Sequence, residues 1–89
     1  MSWTYSSTDL GGHLNWIRLR IGDIDTNDQQ ISDEEIQGCL DREPRREYAA
    51  AMVAEMIAAK YSRLGAANER ETYTNLAREI REQAVPTYL

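Results

Sequence analysis

The run PRREYAAAMVAEMIAAKYSRL, residues 44–64, decides the fold of this 89-residue chain. Arranged as a helix, its apolar side chains cover most of the circumference, which is typical of a helix enclosed by other helices. Six alanines between positions 49 and 59 keep its surface shallow, so neighbouring helices can approach closely. The segment is roughly 30 Å long at about 1.5 Å per residue. We predict that it is the central element and that Pro44 lies in its first turn.

A first amphipathic helix is predicted from DLGGHLNWIRLRI, residues 9–21. Its apolar side chains recur at helical spacing, at Leu10, Leu14, Ile17 and Ile21. Two glycines weaken its opening turn, so the helix either frays there or begins only near His13. Gly22 marks its end.

A second, short helix is predicted from ISDEEIQGCL, residues 31–40. Ser32 is placed as its N-cap and Glu35 closes a capping box, while Ile31 and Ile36 have the spacing of a hydrophobic staple. The acidic first turn also suits the positive end of the helix dipole.

The last helix is predicted from ERETYTNLAREIREQA, residues 69–84. Gly65 is the predicted C′ residue of the central helix, and Asn68 the predicted cap of the last one. Arg78 and Glu82 have the i,i+4 spacing of an exposed ion pair. The sequence therefore predicts one all-α domain over residues 1–89, a bundle of about four helices with short flexible ends at 1–8 and 85–89.

Composition and charge exclude several function classes. The net charge of −5 and a pI near 4.8 have the wrong sign for gripping a phosphate backbone. The single cysteine, Cys39, rules out an intrachain disulfide and a cysteine-based zinc cluster, and its place beside an apolar helix face predicts a buried side chain. No segment reads as a signal peptide or a membrane span, so we expect a soluble, unexported protein.

The stretch GDIDTNDQQISDEE, residues 22–35, partly matches a calcium-binding EF-hand loop. With Asp23 at position 1, the loop has Asp25 at 3, Asn27 at 5 and Glu34 at 12. Position 6, however, is an aspartate where the sharp turn needs glycine. We interpret these residues as turn formers that bind their own backbone. A small helical regulatory module that binds calcium through Asp23–Glu34 is the alternative.

No residue set supports catalysis. His13 is the only histidine and has no neighbour with which to build a metal site or a triad. We therefore expect a non-enzymatic protein with no catalytic residues, no bound metal and no cofactor.

Several large side chains have no place in the predicted core. Trp16 and Leu19 project opposite the apolar stripe of the first helix, and tryptophan and tyrosine are common interface anchors. The alternative is that a tryptophan folds back to cap the bundle. Arg45 and Arg46 are either solvated, paired with neighbouring glutamates, or a docking point for an acidic partner. The predicted subunit or partner interface consists of Trp3, Tyr5, Trp16, Leu19, Arg45, Arg46, Tyr88 and Leu89.

The order of these segments resembles the head-to-tail connector, or adaptor, proteins of tailed bacteriophages over about residues 14–83. In that family a first helix ends in a Gly-Asp turn, a Ser-Asp-Glu-Glu-Ile helix start follows, and an alanine-rich helix comes next. The matching residues here are Gly22, Asp23, Asp25, Ser32, Asp33, Glu34, Glu35 and Ile36. The direct GAAN link before the last helix departs from members that carry a longer segment there.

The resemblance implies a structural virion protein at the head-to-tail junction, present in the host cytoplasm during assembly. Copies would form a homo-oligomeric ring beneath the portal protein, commonly a dodecamer in this family. The ring would extend the channel through which genomic DNA passes without sequence-specific binding, and it would dock a stopper or tail-completion protein. No membrane is involved in this role. With the linking segment short, portal docking is expected from the two chain ends. A third possibility is a minor protein that binds one bacterial host partner.

Overall fold

Four helices follow one another in the computed structural model, which describes residues 1–9 and 11–84. They are α1 (His13–Ile21), α2 (Asp33–Arg42), α3 (Arg46–Arg63) and α4 (Ala67–Ala84). The described residues contain no strand. The predicted all-α bundle of four helices is therefore confirmed.

The alanine-rich helix α3 is the centre of the fold, as predicted. It contacts each of the other three helices and packs most extensively against α4, with which it forms a hairpin. The core joins the small side chains of α3 to larger aliphatic side chains of the surrounding helices. Its buried α3 members are Ala49, Ala50, Ala51, Val53, Ala54, Ile57 and Ala58. Opposite them lie Ile17, Ile21, Ile36, Cys39, Ala77 and Ile80.

Glycines end two of the helices at the predicted positions. Gly22 has φ 78°, and the backbone N–H groups at this cap bond the carbonyls of Arg18 and Leu19. Gly65 has φ 74° just beyond α3. Both are left-handed conformations that glycine adopts without a steric penalty. At the other end of α1, the helix begins at His13, the later of the two predicted starts.

The predicted capping box at the start of α2 is confirmed. The Glu35 N–H donates to Ser32 Oγ at 3.2 Å, and the Ser32 N–H donates to Glu35 Oε1 at 3.1 Å. Ile31 and Ile36, the expected staple, are both buried in the core. These contacts fix the angle at which the chain enters α2.

Two predicted helix starts are each wrong by two residues. Asn68 is not a cap, because α4 already begins at Ala67 and the Arg70 N–H donates to the Ala66 carbonyl at 3.0 Å. Alanine is the best helix former, so the helix starts as soon as Gly65 has turned the chain. Pro44 precedes α3 and does not lie in its first turn, since Arg45 at the cap is still extended. Proline disfavours a helical residue before it, so its main effect is to end α2.

Candidate functional site

Arg18 lies fully buried at the junction of α1, the following loop and the start of α2. Its Nε donates to the Thr4 carbonyl at 2.7 Å, and Nη2 donates to Asp33 Oδ1 at 2.6 Å. Nη1 donates to Asp23 Oδ2 at 2.5 Å and to the Ile31 carbonyl at 2.9 Å. One side chain thus joins four separate stretches of the chain. We call Arg18 with Trp3, Thr4, Asp23 and Asp33 the Arg18 network.

Asp23 is the buried anion of this network, with 1% of its surface exposed. Besides the guanidinium of Arg18, Oδ2 accepts the indole N–H of Trp3 at 3.2 Å, and Oδ1 accepts the Gln30 N–H at 3.0 Å. A buried ion pair is retained at little cost only where further hydrogen bonds satisfy both partners. Among the described residues no buried side-chain nitrogen or oxygen lacks a hydrogen-bond partner. The carboxylate therefore holds the loop in one arrangement.

Residues 2–4, the N-terminal segment, run against the first turn of α2. The Asp33 N–H donates to the Ser2 carbonyl at 2.7 Å, while the Thr4 N–H and hydroxyl donate to the Asp33 carboxylate at 3.0 and 2.9 Å. The Ser2 N–H donates to Glu34 Oε1 at 2.7 Å. This segment falls within the end expected to be flexible, and these bonds tie it to α2.

The same contacts shift two carboxyl groups. Burial alone would raise the pKa of Asp33, but the hydrogen bonds from Arg18 and Thr4 outweigh it and hold that pKa below its usual value. At exposed Glu34, the hydrogen bond from the Ser2 backbone N–H lowers the pKa. Both groups are therefore held ionised at the positive end of α2.

The residues proposed as calcium ligands have other partners. Asp23 faces Arg18, Glu34 accepts from Ser2, and Asp25 Oδ1 accepts the Asn27 N–H at 2.9 Å, an Asx turn. Within residues 1–9 and 11–84, no three acidic, histidine or cysteine side chains are grouped as a metal site requires. The loop geometry supports the turn interpretation.

Both tryptophans are engaged inside the chain. The Trp3 ring lies 4.8 Å from Arg18 Cζ, measured to the ring centre, and the Trp16 ring packs on the core with Arg46 Cζ 4.4 Å from its centre. Each indole is half-buried. The sequence pattern does not reveal these contacts, because the partners lie far away in the sequence, and the assignment of Trp3 and Trp16 to an interface stays a prediction. The alternative, in which an indole folds back onto the bundle, describes both.

The other predicted interface residues have different settings. Leu19 is 44% exposed, whereas Tyr5 is half-buried. Arg45 lies with Cζ 4.5 Å from the ring centre of Tyr48. Tyr88 and Leu89 lie outside the described residues.

Cys39 is buried as predicted, and its thiol donates to Met56 Sδ at 3.3 Å. Burial raises the pKa of this thiol, which disfavours the reactive thiolate. His13 is exposed at the start of α1 and lines a cleft of about 630 Å³ with Asp9 and Asn15. Neither residue is part of the Arg18 network.

Sequence reasoning missed Arg18. A signal was available, because Arg18 lies one turn after Leu14 and one residue after Ile17, on the apolar stripe of α1. An arginine in such a position needs a buried anion, and two aspartates lie close behind it in the sequence.

No protein-family model matches the chain, and comparisons with curated proteins and with solved structures give no match either. None of the described helices has the length and apolar character needed to cross a bilayer.

Proposed function

We propose that the chain is a subunit of a bacteriophage head-to-tail connector, a structural virion protein that assembles as a ring below the portal. The ring extends the DNA channel and docks a stopper or tail-completion protein. One observation carries the proposal beyond sequence likeness. Asp23 and Asp33, two of the residues that carry the resemblance, both bind the Arg18 guanidinium, and Gly22 ends α1 next to Asp23. Three of the matching residues thus lie together at the junction of α1 and α2.

A ring of identical subunits needs two different complementary surfaces on each chain, because the contact is head to tail. Trp3 and Trp16 are half-buried against residues of their own chain, so other exposed side chains must be considered for these surfaces. Leu19 and Ile24 remain, with 44% and 46% of their surfaces exposed. They flank the Gly22 turn, so an exposed apolar side chain lies on each side of the junction.

The charge of the chain is compatible with a conduit for DNA. With a net charge of −5, the subunit repels the phosphate backbone and does not retain it. Arg18 adds nothing to binding of nucleic acid, because it is buried and paired with two aspartates.

The direct test uses the portal protein from the same genome. Purified chain is mixed with assembled portal rings, and the product is examined by mass photometry and by electron microscopy. We expect an added ring of density on the portal. A genome that encodes no portal protein, or portal rings that stay bare at high chain concentration, would overturn the proposal.

A matched pair of variants locates the contact. Leu19→Glu places a charge on α1, whereas Leu64→Glu places one on a leucine that is 68% exposed after α3. The proposal predicts that L19E weakens assembly on the portal and that L64E does not. Equal effects of the two substitutions would count against α1 as a ring contact.

A further inference from the structure

Three arginines, one from α1 and two from the start of α3, gather at one end of the bundle. Arg46 lies over Trp16, and Arg20 is one helical turn beyond Trp16 on α1. Arg20 Nη2 donates to Gln83 Oε1 at 2.5 Å, and Arg45 Nη2 donates to the carbonyl of the next residue, Ala84, at 3.4 Å. We call Arg20, Arg45 and Arg46 the arginine face.

The arginine face carries positive charge that the described part of the chain does not pair. The ion pairs at 4.0 Å or closer involve other residues, and neither Glu43 nor Glu47 approaches Arg45 or Arg46 that closely. The guanidinium groups of Arg45 and Arg46 instead lie over the rings of Tyr48 and Trp16. Stacking fixes a guanidinium plane while leaving N–H donors at its edge for a carboxylate.

The loop after α1 presents the opposite charge. Asp25 and Asp28 are exposed, and each is bonded within the loop, Asp25 to the Asn27 N–H and Asp28 Oδ1 to Gln30 Nε2. Gln30 is itself fixed, because its Oε1 accepts the hydroxyl of Tyr61 at 2.5 Å. We call Asp25 and Asp28 the acidic loop. No cationic group of the described residues lies within 4.0 Å of either carboxylate.

The acidic loop and the arginine face lie at different positions along the length of α4. The acidic loop is anchored to Tyr61, whose ring stacks on Tyr73 with centres 5.9 Å apart. The arginine face is bonded to Gln83, ten residues further along α4, or about 15 Å at 1.5 Å per residue. Two distinct surfaces of opposite charge on one rigid chain are what a heterologous contact requires. Each also adjoins an exposed aliphatic side chain, Leu19 beside Arg20 and Ile24 beside Asp25.

We infer that the arginine face binds the acidic loop of a second copy of this chain, and that this contact repeats head to tail. The inference rests on the proposed ring and names its subunit contact. Arg45 and Arg46 supply bidentate donors to the two carboxylates of the neighbour, while Leu19 and Ile24 add apolar area at the same contact. An arginine face that met another arginine face would place like charges together, which disfavours a symmetric dimer built on that face alone.

Charge exchange between two variants tests the contact. One variant carries Arg45→Glu and Arg46→Glu; the other carries Asp25→Arg and Asp28→Arg. Self-association is measured by sedimentation velocity at low ionic strength, with the fold checked by circular dichroism. We expect each variant alone to self-associate at least about tenfold more weakly than the unmodified chain, since like charges then face each other. An equimolar mixture should recover the assembly, because every contact again joins opposite charges.

Arg78→Glu and Glu79→Arg, on exposed positions of α4, are the control variants and should leave association unchanged. The double variant Arg45→Gln, Arg46→Gln removes the positive charges without introducing negative ones. It therefore tests the contact even where charge reversal disturbs the packing against Tyr48 and Trp16. An unmodified chain that stays monomeric at about 0.5 mM and low salt, where ionic contacts are strongest, would overturn the inference. So would a mixture that fails to recover association. Either result leaves the portal experiment to decide the connector function, so the two failures can be told apart.

Discussion

The Trp3 ring covers the buried guanidinium of Arg18, with 4.8 Å between the ring centre and Cζ. Its indole N–H also donates to Asp23, the partner of that arginine. A residue near the start of the chain therefore closes the site at which α1, the loop and α2 meet.

Replacing Arg18 should be the most damaging of the substitutions considered. Arg18→Met leaves the carboxylate of Asp23 buried and uncompensated, so we expect a loss of about 3–5 kcal/mol in the free energy of unfolding. The measurement is urea unfolding followed by circular dichroism. Arg78→Met is the control, because its ion pair with Glu82 is exposed and contributes less than about 1 kcal/mol.

The double variant Arg18→Met, Asp23→Leu separates the two sources of that loss. Removing both charges together relieves the unpaired carboxylate, so stability should partly return. If the double variant is as unstable as the sum of the two single variants, the charges are not coupled as the structure implies.

Removing the indole N–H should lower the free energy of unfolding more at Trp3 than at Trp16. Trp3→Phe keeps a ring over Arg18 but removes the N–H donor to a buried carboxylate. Hydrogen bonds to charged groups contribute about 1.5–3 kcal/mol. Trp16 packs on the core without a hydrogen bond from its indole to any described residue, so Trp16→Phe should cost less. Urea unfolding of both variants checks the order, and equal losses would contradict the role given to Trp3.

The free energy of unfolding should fall in acid because Asp33 becomes protonated. Its folded-state pKa is depressed below the ordinary 3.8, so its contribution is fully present above that value. The contribution is lost as the pH falls through the lower folded-state pKa. Urea unfolding between about pH 6 and pH 2 should show this loss, with a shallower acid slope in Asp33→Asn. An identical slope in the variant would show that other carboxyl groups account for the acid response.

Alanine substitutions at two glycines should change the stability of the chain in opposite directions. Gly22 has φ 78°, so Gly22→Ala forces a side chain into a left-handed conformation and should cost about 1–2 kcal/mol. Gly38 lies inside α2 with no atom within 4 Å of the position that a Cβ would occupy. Gly38→Ala should therefore stabilise the chain by up to about 1 kcal/mol. Thermal unfolding distinguishes the two, and destabilisation by Gly38→Ala would show that a Cβ at this position does meet a neighbouring group.

The features predicted correctly from sequence are the local ones. The box between Ser32 and Glu35 and the left-handed Gly22 and Gly65 depend on residues within a few positions, so short patterns reveal them. The alanine-rich α3 is predictable as the central helix because its apolar side chains cover most of the helix circumference. Asn68 shows the limit of such signals. It is a good capping residue, but the alanines before it extend the helix, so Asn68 lies inside α4.

The Arg18 network could not be assembled from local patterns. Arg18 donates hydrogen bonds to Asp33, fifteen residues later, and to Thr4, fourteen residues earlier. Trp3 donates one to Asp23, twenty residues away. Periodicity places each residue on a face but does not say which faces meet. For the same reason the sequence pattern does not reveal the intramolecular contacts of Trp3 and Trp16.

The N-terminal segment has a consequence for the order in which the chain takes shape during translation. Residues 2–4 leave the ribosome before every group that binds them, and they settle only after α1 has brought Arg18 into place and residue 33 has been made. Residues 2–4 are thus synthesised before α1 and α2, yet they take up their positions only once the first turn of α2 has formed beside α1.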